Sequence, residues 1–274
     1  MVNFFAEHIW NVAGSHLPEI AKRQLKGLSA PTLLDNFPDA KNMMSSGDAQ
    51  WYNDYFTKRF SDNPSILVLP LMGEMSRYGS NEMLVDLLEN AKNDTRYKGV
   101  VLKISTPGGT SDSCAMLADA VNNFRKNKPA VIQTNKALSA GYFIAAQADE
   151  IFMENDISAT VGSISSLIIY ENHQKELEQQ GISIELIRAN GGERKALINP
   201  YEPLTEETRA ILQANVDAAR SQFVSYVKRG RVGKITNEAV FKGDVYGVKD
   251  ALKFGLVDKI GTLSAAIKRC AALS

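Results

Sequence analysis

The chain has 274 residues, of which 44% are hydrophobic and 23% are charged. That is enough apolar surface for one sizeable core, and it excludes a disulfide mini-protein, a fibrous chain and general disorder. Lysine plus arginine and aspartate plus glutamate both total 31, so the formal net charge is zero. There is no bulk field to attract nucleic acid or an anionic membrane, and specific binding therefore requires a local site.

Cysteine usage and the apolar runs indicate the compartment. Cys114 and Cys270 are the only cysteines, and neither belongs to a CxxC pair or a histidine cluster, so we expect no disulfide framework and no metal. Asn3, Glu7 and His8 interrupt the apolar residues at the N-terminus, unlike a signal peptide. No apolar run reaches the roughly 18 residues that cross a bilayer. The sequence predicts a cytoplasmic protein without a membrane anchor.

The first 64 residues differ in pattern from the rest. Residues 1–27 have the apolar spacing of one or two short amphipathic helices, and residues 28–64 are polar with scattered proline and glycine. We therefore predict two parts. Residues 1–64 form a helical or irregular arm that packs on a neighbouring subunit or is removed as a pro-segment, and residues 65–274 form the main domain.

From residue 65 onward, short apolar runs alternate with helical periods. The runs predict strands at Ile66–Leu71, Gly99–Ser105, Pro129–Thr134, Glu150–Met153, Ser166–Tyr170 and Ser183–Arg188. Helical spacing relates Leu84, Leu87, Leu88 and Ala91, then Leu117, Val121 and Phe124, and a longer helix is predicted from Glu206 to about Lys228. Strands that alternate with helices imply βαβ crossovers, so we predict an α/β fold with a mostly parallel sheet.

Functional groups in such a sheet collect in the loops at the carboxyl ends of the strands. The first candidate loop is Thr106–Thr110, in which Gly108 and Gly109 allow a sharp turn that points N–H groups at an anion or a developing oxyanion. An ordinary strand-to-helix turn would need the same residues. The loop lacks the Lys-Ser/Thr of a phosphate loop, and GxGxxG is absent, so we expect no nucleotide cofactor.

The second candidate loop contains Ser139, which follows the strand Pro129–Thr134 and opens the small-residue helix Ala140–Ala148. A serine flanked by alanine and glycine on a tight turn can present its hydroxyl to a cleft while the next N–H helps to bind negative charge. The alternative is that Ser139 only caps the helix, which is the commoner role for serine at that position.

A serine nucleophile requires a base. The three histidines are poor candidates, because His8 and His16 lie in the arm and His173 lies in the charged stretch 171–180, which has the pattern of a solvated helix face. A lysine is then the remaining candidate for the base, since a Ser-Lys dyad is a known variant of the Ser-His-Asp triad. Lys195 lies in the third candidate loop, Gly191–Ala196. Taken by itself, a lysine is by default a solvated surface residue.

Five motifs occur in a characteristic order, namely TPGG, SAGYFIAAQADEI, TVGSI, GGERKALINPYEPLTEE and GDVYGVKDALKFGLVDKIG. Together they resemble the signal peptide peptidase A family of serine proteases, within the Clp protease/crotonase superfamily, over roughly residues 65–261. The resemblance implies a Clp/crotonase-like superhelix of ββα units. It also implies the following roles: nucleophile for Ser139, general base for Lys195, oxyanion-hole donors at Gly108 or Gly109 and at Ala140, and orientation of the lysine amine by Ser163.

The departures from the family pattern narrow the resemblance. Ala140 stands where many cellular members have glycine, as in phage-encoded relatives, and Ser165 and Ser166 follow GSI where the family commonly has Gly-Val, so the loop beside the base differs. The membrane anchor of the cellular enzymes is not expected here. The chain therefore looks most like the phage and prophage branch, whose members process scaffold, portal or capsid proteins during head assembly.

The resemblance further implies a protein substrate in an extended groove, a homo-oligomeric ring with the dyad shared between protomers, and no cofactor, metal or nucleic acid. Three alternatives remain open at this stage. The first is a cellular peptidase that degrades signal peptides or misfolded proteins. The second is a crotonase-like acyl-CoA enzyme, which would need neither Ser139 nor Lys195. The third is a ring-forming scaffold that has lost proteolysis.

Overall fold

The computed structural model describes residues 9–12, 63–75 and 81–274, with the backbone alone for residues 9–12. The strands are β1 (Ile9–Val12), β2 (Ile66–Met72), β3 (Gly99–Thr106), β4 (Gly108–Thr110), β5 (Ala130–Leu138), β6 (Glu150–Met153), β7 (Thr160–Gly162), β8 (Leu167–Ile168), β9 (Val245–Tyr246) and β10 (Lys259–Ile260). The helices are α1 (Glu82–Asn93), α2 (Cys114–Arg125), α3 (Ala140–Ala145), α4 (Gln174–Gln179), α5 (Glu206–Gly230), α6 (Val248–Lys253) and α7 (Leu263–Leu273), with a 3-10 helix at Glu238–Lys242.

The main sheet has the order β10-β6-β5-β3-β2, with β7 beside the far end of β5 and β9 beside β7. All its pairings are parallel except that of β7 with β9. The first six residues of β2 and the first four of β3 are buried without interruption, as expected of parallel strands that are covered on both faces. The predicted α/β class with a mostly parallel sheet is confirmed.

A second, small sheet is antiparallel and has the order β4-β1-β8. Its central strand, Ile9–Val12, corrects the prediction of helix for residues 1–27 at these four positions, because neighbouring strand edges decide the conformation there. The remainder of the predicted arm lies outside the described residues, and its division from the main domain stays a prediction. In the described parts of the chain, no helix is long and apolar enough to cross a membrane.

Two predicted strands differ in the structure. Ser166–Tyr170 contributes only Leu167–Ile168, in the antiparallel sheet. The prediction of a strand at Ser183–Arg188 is wrong, because residues 182–189 have no regular structure. The apolar residues that suggested it are exposed, with Ile184 at 43% and Ile187 at 90%. An alternating pattern produces a strand only where a partner strand and a face to bury are present.

The long helix α5 is attached to the domain by its C-terminal half. Phe223 and Val227 are fully buried, whereas Leu212 and Val216, predicted on the same stripe, are only partly covered. Gly230 ends the helix against α3, where a β-carbon would lie 1.9 Å from the carbonyl oxygen of Ala146. The two backbones therefore touch, and only glycine fits at this contact.

The residue after α5 anchors the C-terminal part of the fold. The Arg231 side chain has no exposed surface, and its guanidinium donates to the carbonyl oxygen of Gly255 and to both carboxylate oxygens of Asp258. Asp258 also accepts from Lys234 and from the Ile151 N–H of β6. Burial by itself would raise the pKa of Asp258, but the hydrogen bond and charge of Arg231, then Lys234, outweigh it and hold that pKa below 3.8.

We predict that Asp258→Ala lowers the free energy of unfolding by about 3–5 kcal/mol, because it leaves a buried guanidinium without its counter-charge. Urea denaturation measures the loss. Glu238→Ala is the control, since its ion pair with Lys228 is exposed, and it should change stability little. The difference between wild type and Asp258→Ala should shrink as the pH falls below about 3.8, because the carboxylate of the unfolded chain takes up its proton there, and it should be lost once the pH passes the lower pKa of the native carboxylate. Equal losses in both variants at neutral pH would contradict this role.

Candidate active site

Ser139 occupies the sharp turn between β5 and α3. Its φ is 52° and its ψ is −119°, a region that a residue with a side chain enters at a cost of about 1–3 kcal/mol. Both of its peptide groups are held, because its N–H donates to the Gly162 carbonyl at 2.8 Å and its carbonyl accepts from the N–H groups of Tyr142 and Phe143 at 2.8 and 2.9 Å. The turn is therefore fixed by β7 on one side and by the first turn of α3 on the other.

The Ser139 hydroxyl is buried and unpaired. The residue is 1% exposed, and its Oγ finds no hydrogen-bond partner among the described residues. The side chain makes no capping hydrogen bond to α3, so the interpretation of Ser139 as a simple helix cap is wrong. Buried hydroxyls are almost always paired, and an exception needs a reason.

The glycine turn lies on the neighbouring strand end. Thr106 of β3 is in register with Ala137 of β5, and a β-carbon on Gly141 would lie 2.3 Å from Thr106 Cγ2. Because Gly141 has no side chain, α3 can rest against the end of β3. This close approach brings the turn at residues 106–110 beside the start of α3, where Ser139 lies.

The backbone contacts distinguish the two predicted oxyanion donors. The Gly108 N–H donates to Thr106 Oγ1 at 3.0 Å, and the Gly108 carbonyl accepts from Met75 N. The Thr110 N–H donates to the Met75 carbonyl, so Gly108 and Thr110 both bond toward Met75. Backbone groups of successive strand residues alternate in direction, and those of Gly109 therefore point to the opposite edge. The geometry favours Gly109 over Gly108 as the donor.

The close packing explains the requirement for glycine at position 109. A β-carbon there would lie 1.9 Å from the Met75 carbonyl oxygen, which is backbone and cannot move aside alone. Ala140, the predicted second donor, is fully buried and begins α3 directly after Ser139. The two predicted sources of N–H groups thus lie on the two elements that frame Ser139.

Ser163 lies next to the same turn. Its preceding residue, Gly162, supplies the carbonyl that accepts from the Ser139 N–H, and Ser163 itself is 7% exposed with a φ of 55°. Its own N–H donates to the Asp244 carbonyl at 2.7 Å, which fixes the turn against the loop before β9. The structure therefore brings together Ser139, Gly109, Ala140 and Ser163 from three separate stretches of the sequence.

Lys195 is not part of this group within one chain. It lies in a segment, residues 181–196, that is exposed or partly exposed at every position. Since Ser139 Oγ has no hydrogen-bond partner, the Lys195 amine does not reach it in the single protomer. The dyad remains a prediction, and its two halves stand apart in the chain.

The residues that hold the Lys195 loop are not among those predicted from the sequence. Arg188 donates from Nε to the Lys195 carbonyl at 2.7 Å and from Nη2 to the Ala196 carbonyl at 3.0 Å, while pairing with the Glu202 carboxylate at 2.6 Å. The hydrogen bond from Arg188, then that from Asn199, lowers the pKa of Glu202. Asn199 and Glu202 lie inside the fourth sequence motif, and that position was the only indication in the sequence that they belong to the Lys195 loop.

Comparisons with known proteins identify the family of the chain. The family model described as peptidase family S49 matches residues 122–274, more than half of the chain. A candidate protease of Methanocaldococcus jannaschii is 30% identical over 213 residues, which cover 77% of this chain and 65% of that protein. Capsid assembly protease C of Escherichia phage lambda is 29% identical over 185 residues, covering 67% of this chain and 41% of that one. The chain thus spans less than two thirds of either relative.

Among solved structures, a membrane-bound stomatin-specific protease in complex with a substrate peptide superposes with a TM-score of 0.48 at 15% identity, covering 74% of this chain and 78% of that one. The family assignment depends on the sequence match, which contains Ser139, Ser163 and Lys195. The chain belongs to peptidase family S49.

Proposed function

We propose that this chain is a serine endopeptidase in which Ser139 is the nucleophile and Lys195 is the general base. The observation that carries the proposal is the Ser139 hydroxyl, which is buried, unpaired and held on a strained turn beside Gly109 and Ala140. A hydroxyl kept without a partner at this cost is suited to a reaction in which a base and a substrate carbonyl approach it. Membership of a peptidase family supports this chemistry over the acyl-CoA alternative.

The proposed reaction follows from these positions. The Lys195 amine, in its neutral form, takes the proton of Ser139, and Oγ attacks the carbonyl carbon of the scissile peptide bond. The N–H groups of Gly109 and Ala140 hold the resulting oxyanion. The lysine returns its proton to the leaving amine, and water then releases the acyl group from Ser139.

The base is proposed to come from a neighbouring protomer in a ring. Lys195 lies on an exposed segment that also presents Ile184 and Ile187, whereas Ser139 is enclosed within its own protomer and lacks a partner there. A second copy that covers this segment would bury the two isoleucines and bring a lysine to each serine. In a closed ring, every subunit makes this contact with its neighbour, so no exposed segment is left uncovered.

We propose that the substrates are phage head proteins such as scaffold or portal proteins, cleaved in an extended conformation. The supporting observation is the similarity to the capsid assembly protease of phage lambda. Incubation with scaffold and portal proteins, followed by mass spectrometry of the fragments, tests this choice. Preferential cleavage of isolated signal peptides would instead support the cellular alternative.

Replacing the nucleophile is the first test. Ser139→Ala should abolish peptide cleavage and labelling by a fluorophosphonate, because no other buried hydroxyl stands on this turn, while the oligomer remains assembled in size-exclusion chromatography. Ser158→Ala is the matched control, since the Ser158 hydroxyl donates to Asp156 on the exposed loop before β7, away from Ser139. Substantial residual cleavage by purified Ser139→Ala would refute the assignment.

Subunit mixing tests the shared dyad. Ser139→Ala and Lys195→Ala should each be inactive alone, but random mixed rings should recover about one quarter of the wild-type rate, since one site in four then pairs an intact serine with an intact lysine. Peptidase assays after denaturation and joint refolding measure the recovery. Complete inactivity after verified subunit exchange would place both residues of each dyad in one chain.

Arg188 is expected to act as a positioning residue. Arg188→Gln removes the charge and most donors that hold the Lys195 and Ala196 carbonyls, so kcat should fall by up to about 100-fold with little change in KM. The fluorophosphonate labelling rate should fall in parallel, because the loop also delivers the base to Ser139. Arg209→Gln, on an exposed pair one turn into α5, is the control. Equal kcat in the two variants would show that the Lys195 loop keeps its conformation without Arg188.

A further inference from the structure

Thr106, at the end of β3, is a fully buried polar residue that the proposed reaction does not use. Its hydroxyl contacts two separate stretches of backbone, because Oγ1 donates to the Gly73 carbonyl at 2.5 Å and accepts from the Gly108 N–H at 3.0 Å. Gly73 follows the end of β2, and Gly108 begins β4, which carries Gly109. One hydroxyl therefore joins the segment after β2 to the turn that contains a predicted oxyanion donor.

The backbone on either side of Thr106 is joined to the same segment. The Gly73 N–H donates to the Ser105 carbonyl at 3.0 Å, and the Met75 N–H donates to the Gly108 carbonyl at 2.8 Å. The Thr106 hydroxyl lies between these two connections in the sequence and is a side-chain link within an otherwise backbone contact. Its removal would take a hydrogen-bond partner from two buried backbone groups, which is costly in a closed interior.

The methyl group of Thr106 faces α3. A β-carbon on Gly141 would lie 2.3 Å from Thr106 Cγ2, whereas the next nearest atoms, on Ile104 and on Thr106 itself, would be 3.8 Å away. The Thr106 methyl is therefore the atom that limits how closely α3 approaches the end of β3. Gly141 directly follows Ala140 in the first turn of α3, so this contact also sets the position of the Ala140 N–H.

We propose that Thr106 is a positioning residue that sets the spacing between the two oxyanion donors, the N–H groups of Gly109 and Ala140. Its hydroxyl fixes the turn, and its methyl fixes α3 relative to that turn. Both groups share one β-carbon with restricted rotation, so the hydrogen bonds of the hydroxyl also hold the methyl in place. The inference rests on the peptidase function proposed above, since the spacing of these donors matters when an oxyanion forms between them.

Thr106→Val keeps the shape of the side chain and removes the hydroxyl. For a fluorogenic peptide, kcat should fall by about 10- to 100-fold with less than about a threefold change in KM, because the donors are misplaced for the oxyanion rather than for the substrate. The inhibition constant of a peptide aldehyde, whose adduct with Ser139 places an oxygen at the oxyanion position, should rise in parallel. Thr106→Ser keeps the hydroxyl and should retain kcat within about fivefold.

Thr134→Val is the matched control for the loss of the hydroxyl. Thr134 is fully buried on the neighbouring strand β5, and its hydroxyl has no hydrogen-bond partner in the described part of the chain. This variant should keep the wild-type kcat and the wild-type inhibition constant for the aldehyde.

Gly141→Ala tests the methyl contact. Its β-carbon does not fit beside Thr106 Cγ2, so α3 and the turn are forced apart and kcat should fall by about tenfold or more. Adding Thr106→Ser removes Cγ2 and leaves ordinary contacts of 3.8 Å, so the double variant should recover kcat to within about threefold of Thr106→Ser alone. Gly247→Ala is the control and should keep the wild-type kcat, since a β-carbon there meets nothing within 4 Å.

The outcomes separate this role from the peptidase function. Equal kcat and equal aldehyde inhibition in Thr106→Val and Thr134→Val would overturn the positioning role, as would a double variant no more active than Gly141→Ala. The double variant tests the role even where Thr106→Val fails to fold, which urea denaturation detects. A wild type that cleaves the peptide only when Ser139 is intact leaves the peptidase function standing in these cases. Absence of cleavage by wild type, or its persistence in Ser139→Ala, would overturn the peptidase function itself.

Discussion

The site depends on one constraint, the positive-φ turn that Ser139 makes between the central strand β5 and the helix α3. That conformation persists because the surrounding structure holds it at both ends, with the Gly162 carbonyl of β7 on one side and the first turn of α3 on the other. β5 is itself flanked by β3 and β6 and is buried along most of its length. The strain at a single residue is thus supported by the best-packed part of the protein, and it leaves the hydroxyl without a partner.

The strands β2, β3 and β5 and the turn at Ser139 could be predicted from the sequence because their signals are local. β2, β3 and β5 are apolar runs that end in glycine or small residues, and a buried parallel strand followed by such a loop has few other interpretations. β1 could not be predicted, since the apolar spacing around Ile9 also fits a helix, and its pairing depends on edges more than ninety residues away. The hydrogen bonds from Arg188 to the Lys195 and Ala196 carbonyls could not be predicted either, because no sequence pattern indicates which side chain binds these carbonyls.

In the proposed function, substrate recognition depends on backbone geometry rather than on net charge. The chain has a formal net charge of zero, and the most buried ion pair among the described residues, between Arg231 and Asp258, stabilises the packing of the C-terminal part. The edges of β4 and β8 that face β1 present peptide groups. A site framed by peptide groups would accept many extended sequences, so in the proposed function selectivity has to come from which chain segments assembly brings near Ser139.

The contact of Gly230 with Ala146 has a mechanical consequence. α5 contains 25 residues, which makes it a rod about 37 Å long, and it connects the region after the Lys195 loop with the end of α3. In the proposed ring, the loop at one end of this rod serves the neighbour's serine, and the backbone contact at the other end braces the helix that carries its own. Displacement of one subunit would then be transmitted along α5 to two reaction centres at once. The activities of neighbouring catalytic centres in the ring would therefore change together.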